Sequence, residues 1–172
     1  MRDLFLDTAS FWIIGINPGV LSERVDAPFS HRGNRFWPAL FEAGMTPYLV
    51  DASGGLSPED EQMLRESGFG FTNIVPRMTA RAAELSQREY LDGAERLFNL
   101  AEEHRPRALM FAGIGAYRTA FRRPKAAKGR QPELIAGAEV WVVGNPSGLN
   151  AHETVSTLAE SYKQAWTSGR PH

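Results

Sequence analysis

The feature that most limits what this chain can fold into is a set of four short apolar runs, FWIIG at 11–15, GFTNIV at 70–75, ALMFA at 108–112 and EVWVVG at 139–144, each ending near glycine or asparagine. Runs of this length without polar alternation read as strands buried on both faces, the pattern of a parallel sheet. Helical patterns separate them. Residues 36–43 and 58–66 fit short helices, the second opened by Ser57 and closed by Gly68. Residues 87–103 carry Ser86 as N-cap with Glu89 three residues on, and an apolar stripe at Leu91, Ala94, Phe98 and Ala101. A short helix is expected after Gly115, and a final one over about 152–166 with Val155, Leu158, Tyr162 and Trp166 on one face. Strand followed by helix, repeated about four times, predicts a three-layer α/β/α fold with a small, mainly parallel, about four-stranded sheet and right-handed crossovers.

Ligands of such sheets bind at the carboxyl ends of the strands. The two most unusual loops fall there: Gly15-Ile16-Asn17-Pro18-Gly19 after the first strand and Asn145-Pro146-Ser147-Gly148-Leu149 after the last. Glycine permits close backbone approach and proline fixes φ, so each loop reads as a stiff turn that aims backbone N–H groups into a cleft. Two ordinary strand-to-helix turns would look the same. Gly113-Ile114-Gly115 lacks the third glycine of a dinucleotide fingerprint, Arg118 standing in its place, and no phosphate-binding loop, nucleophile elbow or His-Glu-x-x-His motif occurs.

Composition closes further routes. The chain has 172 residues, enough for one domain, and no cysteine, which excludes disulfides, thiolate zinc sites and cysteine-ligated iron–sulfur clusters. Its four histidines are scattered and speak against a metal site. No run reaches the ~20 apolar residues of a membrane helix and residues 1–10 do not form a signal peptide, so a cytoplasmic protein is expected. Net charge is −1, but its distribution is uneven: residues 1–86 carry 7 basic and 11 acidic side chains, residues 87–172 carry 12 and 9. Between Arg118 and Arg130 stand six cations and no acid, in a segment read as a loop that either touches phosphate or is a solvated surface.

GINPG at 15–19, PFSHRGNRFW at 28–37, GFTNIVPR at 70–77 and NPSGL at 145–149 together resemble the mismatch-specific uracil/thymine DNA glycosylases, a branch of the uracil-DNA glycosylase superfamily, over about residues 11–166. The resemblance implies one glycosylase domain over 1–172, a cofactor-free monomer acting on double-stranded DNA that contains uracil, with no membrane partner. It implies hydrolysis of the N-glycosidic bond of a flipped uracil by water attack on an oxocarbenium-like sugar, leaving an abasic site. Phe29 matches the family's stacking position, with Gly15 and Ile16 lining the base slot and Asn17 holding the water. An amide orients water but does not take up a proton at neutral pH, so excision is expected to follow leaving-group quality.

Asn145 and Ser147 are expected to bind substrate, Ser147 alternatively capping the last helix. Pro146, Gly148, Leu149 and Asn150 are expected to meet DNA, Leu149 as the wedge filling the space of the flipped base. The sequence departs from the pattern two positions after the wedge, where Ala151 replaces an expected arginine; this puts opposite-base discrimination in doubt and makes uracil opposite adenine, or in single-stranded DNA, a further candidate substrate. Asp92 is a candidate additional water activator, or else an exposed i,i+4 partner of Arg96. Asp26 and Glu23 are further carboxylate candidates. Other damaged pyrimidines as substrate, or a module that binds mismatches without cleaving, remain the rival readings.

Overall fold

A computed structural model describes residues 1–168. Strands β1 (Phe11–Gly15), β2 (Phe69–Asn73), β3 (Ala108–Ala112), β4 (Gly129–Arg130) and β5 (Glu139–Val143) form one sheet in the order β2-β1-β3-β5-β4. All neighbours pair parallel except β4, which runs antiparallel to β5. The helices are α1 (Val20–Val25), α2 (Phe36–Glu42), α3 (Pro58–Glu66), α4 (Gln87–His104), α5 (Ile114–Ala120) and α6 (Val155–Thr167), with a 3-10 turn at Ala82–Glu84.

Side chains alternate across a strand, so each strand feeds two cores. Phe11, Ile13, Phe71 and Met110 pack with Phe36 and Leu40 of α2, Leu64 of α3 and Tyr162 of α6. Trp12, Ile14, Leu109 and Phe111 pack with Leu97 of α4 and Tyr117 of α5 on the other face. This is the expected three-layer α/β/α arrangement. Leu4 closes the outer edge of β2 by exchanging backbone hydrogen bonds with Phe71, both 2.9 Å, which hides that edge from edge-to-edge pairing.

Local signals place α3 and α4 well, because both open with a complete capping box: Ser57 with Asp60, and Ser86 with Glu89. Four differences from expectation have physical causes. The sheet has five strands, the two-residue β4 lying inside the basic segment read as loop, where its pairing partner β5 comes from remote sequence. Helix α1 has Gly19 at its N-cap with no side-chain cap and only six residues, too few to show a period. In α4 the buried stripe is Gly93, Leu97 and Ala101, while Phe98 is exposed. Gly93 sits so close to β2's exit that an added Cβ would lie 2.2 Å from the Ile74 carbonyl, and this contact turns the helix. Finally, α6 starts at Val155, and its cap is Thr154, whose hydroxyl accepts from the Thr157 N–H; Ser147 does not cap it.

Candidate active site

Both unusual loops leave the carboxyl edge of the sheet, where the order β2-β1-β3 places neighbours of β1 on either side. At the ends of β1 and β2 lies a cavity of about 150 Å³ lined by Gly15, Ile16, Asn17, Phe29 and Asn73 among others. Beside it, at the ends of β1, β3 and β5, an open cleft of about 590 Å³ is lined by Ile16, Tyr90, Gly113, Asn145 and Asn150 among others. Ile16 borders both.

The first loop is sewn to the segment after β2. Ile74 N donates to Gly15 O and Val75 N to Ile16 O, both at 2.9 Å, and Thr79 N to Pro18 O at 3.2 Å. Asn17 is the polar centre of this seam. Its Nδ2 donates to the Arg77 carbonyl at 2.9 Å and to Thr79 Oγ1 at 2.7 Å. The Thr79 hydroxyl in turn donates a hydrogen bond to the Arg81 carbonyl at 2.8 Å. An amide nitrogen has two hydrogens, and both are used. Asn17 lines the cavity, and what it retains is an acceptor, Oδ1, with no partner among the described residues.

Arg77 is itself anchored: its Nε donates to Glu89 Oε1 at 2.6 Å and its Nη2 to Oε2 at 3.2 Å. That pairing, with the N–H of Ser86, pulls the Glu89 carboxyl down to about 2. The capping box of α4 is thereby tied to the backbone carbonyl that orients Asn17.

Phe29 occupies left-handed backbone space at φ 53, an arrangement that costs a non-glycine residue roughly 1–2 kcal/mol. The surrounding loop holds it there. Ser30 Oγ donates to the Ala27 carbonyl at 2.9 Å and shares a 2.8 Å bond with Ser22, while Trp37 Nε1 donates to the Pro28 carbonyl at 3.0 Å. One face of the Phe29 ring lies on Phe36, centroids 4.2 Å apart and planes at 28°. Its edge approaches Gly15, where a Cβ would stand 3.4 Å from Phe29 Cζ and 2.6 Å from Asn73 Oδ1. Only glycine at 15 keeps the floor of this slot open.

The second loop is built from outside itself. Arg35, inside the PFSHRGNRFW stretch, donates its backbone N–H to the Pro146 carbonyl at 2.8 Å. Its Nη1 reaches the carbonyls of Asn150 at 2.7 Å and Ser147 at 3.2 Å, and its Nη2 that of Gly148 at 3.2 Å. Gly148 rests on Gly33, where a Cβ would lie 2.5 Å from the Gly33 carbonyl. Inside the loop, Asn145 Oδ1 accepts from Ser147 N at 2.9 Å and Asn150 Nδ2 donates to the Asn145 carbonyl at 3.0 Å. At the tip of this braced turn Leu149 is 96% exposed.

The chain as a whole has counterparts among known proteins. The family model described as Uracil DNA glycosylase superfamily matches residues 3–168. The chain belongs to this superfamily. Membership supports a DNA glycosylase role for it. Among solved structures, the chain is similar to the solution NMR structure of a candidate uracil DNA glycosylase from Methanosarcina acetivorans, with 16% identity, a TM-score of 0.60 and 96% of each chain covered; at that identity the likeness bears on the fold.

In this superfamily member the structure brings Gly15, Ile16, Asn17 and Phe29 together around the small cavity. It does not bring Asn145 or Ser147 there: Asn145 lines the adjoining cleft, and Ser147 serves its own loop, its hydroxyl accepting from Leu149 N at 3.2 Å. Asp92 does not line either space. Its carboxylate pairs with Arg88 at 3.0 Å on the exposed side of α4, so the expected pairing with Arg96 is corrected. Arg96 turns inward instead, to Asp3 at 3.2 Å and to the Asn73 carbonyl at 2.7 Å. Asp26 is bound by the backbone N–H and Nε of Arg2, and Glu23 by the N-terminal ammonium. Among the described residues no group of three or more His, Asp or Glu side chains is placed to hold a metal ion.

Asn73 was missed by sequence reasoning. It is 9% exposed at the end of β2, paired in register with Gly15, and its side-chain amide has no hydrogen-bond partner among the described residues. The signal was an amide closing the otherwise apolar and threonine-bearing strand FGFTN.

Proposed function

We propose that this protein is a monofunctional DNA glycosylase that removes uracil from DNA, both from mismatches with guanine and from other contexts. The observation that carries the reading is the saturated amide nitrogen of Asn17, which leaves a single fixed acceptor at a slot with an aromatic wall and a free amide opposite. A glycosidic bond inside a stacked duplex is out of reach, so the nucleotide is turned out into the slot. There the pyrimidine ring stacks on the free face of Phe29, a contact worth about 1–3 kcal/mol by analogy with other base-stacking sites. The uracil edge presents carbonyl, N–H and carbonyl; the Asn73 amide offers a donor and an acceptor to it.

A water bound to Asn17 Oδ1 donates its hydrogen there and keeps a lone pair for C1′. Because an amide is no base, bond breaking runs ahead of attack: the C1′–N1 electron pair leaves with the pyrimidine as an anion, and water captures the oxocarbenium-like sugar. Backbone N–H groups near Ile16 and Phe29 stabilise the charge growing on the base. The captured water releases a proton to solvent and the pyrimidine anion takes one up, so the products are free base and an abasic site. Leu149, with the backbone of Pro146, Gly148 and Asn150, fills the vacated stack. Ala151 supplies no hydrogen-bonding side chain to the opposite base, so uracil opposite adenine and unpaired uracil are accepted alongside uracil opposite guanine.

The test uses labelled oligonucleotides with uracil opposite guanine, uracil opposite adenine, unpaired uracil or thymine opposite guanine, followed by alkali. Strand breaks at uracil and slower breaks at thymine are expected. Intact uracil strands after incubation with folded protein would sink the proposal, and shifted mobility without breaks would leave a binding module in its place.

A further inference from the structure

We infer that the segment 122–130 is a phosphate-tracking arm that carries the DNA backbone away from the cleft. The inference rests on the glycosylase reading and adds a binding surface to it.

The sheet register decides where this segment lies. Strand β4 runs antiparallel to β5, with Gly129 opposite Val142 and Arg130 opposite Trp141. Chain entering β4 therefore arrives at the carboxyl end of β5, the edge from which the 145–150 loop departs. Lys128, immediately before β4, lines the 590 Å³ cleft together with Asn145, Asn150 and His152. It also lines a second depression, of about 470 Å³, walled by Arg122, Arg123, Lys125 and Arg130. The two concavities thus share one cation, Lys128, which stands between the second loop and the β4 edge.

The charges along this edge are of two kinds. Arg123 pairs with Glu133 at 3.4 Å, Arg130 with Glu139 at 3.9 Å and Lys128 with Glu153 at 3.4 Å. Glu153 is 7% exposed, also accepts from the Thr157 hydroxyl at 3.0 Å, and so pins Lys128 beside the second loop. Arg122 and Lys125 are exposed and have no anionic partner among the described residues. Arg122 is held in left-handed space at φ 54, and its neighbour Arg123 is fixed by a backbone bond to the Arg118 carbonyl at 3.0 Å. The Arg118 guanidinium braces the same turn by donating to the Ala126 carbonyl at 2.8 Å. A braced loop presenting two uncompensated cations on a protein of net charge −1 concentrates positive potential in one place. Duplex DNA carries one negative charge per ~1.7 Å of axis, so a duplex seated on the wedge brings phosphates past this edge. Contacts of this kind position DNA without reading sequence.

The experiment measures binding of a fluorescent duplex by anisotropy from ~50 to ~300 mM salt, with and without a central uracil, using the full chain and its Arg122→Gln/Lys125→Gln variant. Each lost phosphate contact lowers the slope of log affinity against log salt by about 0.9, so the double variant should lose about 1.8 and bind at least roughly tenfold more weakly near 0.1 M salt. The same slope loss is expected on the duplex without uracil. Lys163→Gln, an exposed cation of α6, serves as control and should leave both slope and affinity unchanged. Lys125→Gln alone, expected to lose about 0.9, keeps the test open if the double variant does not fold. An unchanged slope, or a loss matched by the Lys163 control, would overturn the arm. Failure of the parent chain to cut uracil at all would strike the glycosylase reading instead, and the two results are read separately.

Discussion

The two corners at the carboxyl edge are stiffened in opposite ways. In the first, at 15–19, the proposed water-holding side chain is itself the brace: Asn17 spends its amide hydrogens on Arg77 and Thr79, and its oxygen has no partner among the described residues. In the second, at 145–150, the brace comes from elsewhere: Arg35 gathers the carbonyls of Ser147, Gly148 and Asn150 and leaves Leu149 almost wholly exposed. The difference matches the demands that the proposed roles place on each. A water-holding group must be immobile in an enclosed slot, whereas a group that enters a base stack must project from a rigid backbone with nothing of its own to unbind first.

This contrast can be broken at its strongest point by Asn17→Ala, which removes the fixed acceptor. Single-turnover excision should fall several tens-fold or more, about 2–3 kcal/mol, on duplex and single-stranded uracil alike. A loss confined to duplex would place Asn17 with the wedge rather than with the chemistry. Next in size is Arg35→Met, which frees three carbonyls at once. Duplex excision should drop roughly thirtyfold, about 2 kcal/mol, with much less effect on single strands. Arg35→Lys should not restore it, since a point-like ammonium cannot span several acceptors as the guanidinium fork does. Leu149→Ala leaves the brace and removes the tip: about a tenfold loss on duplex and little on single strands is expected, read most directly as reduced 2-aminopurine fluorescence next to the uracil. Equal losses on both substrates would reject the wedge.

The smallest effect sharpens the first corner through pH. Ion pairing with Arg77 and the Ser86 N–H hold the folded Glu89 carboxyl near 2, below its ordinary 4.5. A depressed carboxylate contributes stability above the unfolded value and loses it as pH falls through the folded one. Thermal unfolding of the parent should therefore weaken between about pH 4.5 and 2, and Glu89→Gln should flatten that part of the profile. Identical acid profiles for the two proteins would show the capping box and Arg77 to be uncoupled.

What sequence alone determined here is whatever depends on near neighbours. Three of the four apolar runs coincide with their strands to within a residue, and the fourth strand, β2, starts one residue earlier and ends two earlier than its run. The capping boxes of α3 and α4 were equally legible, because strand burial and helix caps are written within a few positions. The first loop was legible too, since a glycine-proline turn after a buried strand has few conformations open to it. What only the tertiary structure decided depends on partners far along the chain. Arg35 braces a loop more than 110 residues away, Asn73 faces Gly15 across a strand pairing, β4 exists only because β5 lies beside it, and Gly93 turns α4 by touching Ile74. No local pattern distinguishes Arg88 from Arg96 as the partner of Asp92, since both stand four positions away; the inward pull of Asp3 and Asn73 on Arg96 settles it. Propensity and periodicity act along the chain, while hydrogen-bond satisfaction and close packing act through space, and it is the second pair that aims the residues at this edge.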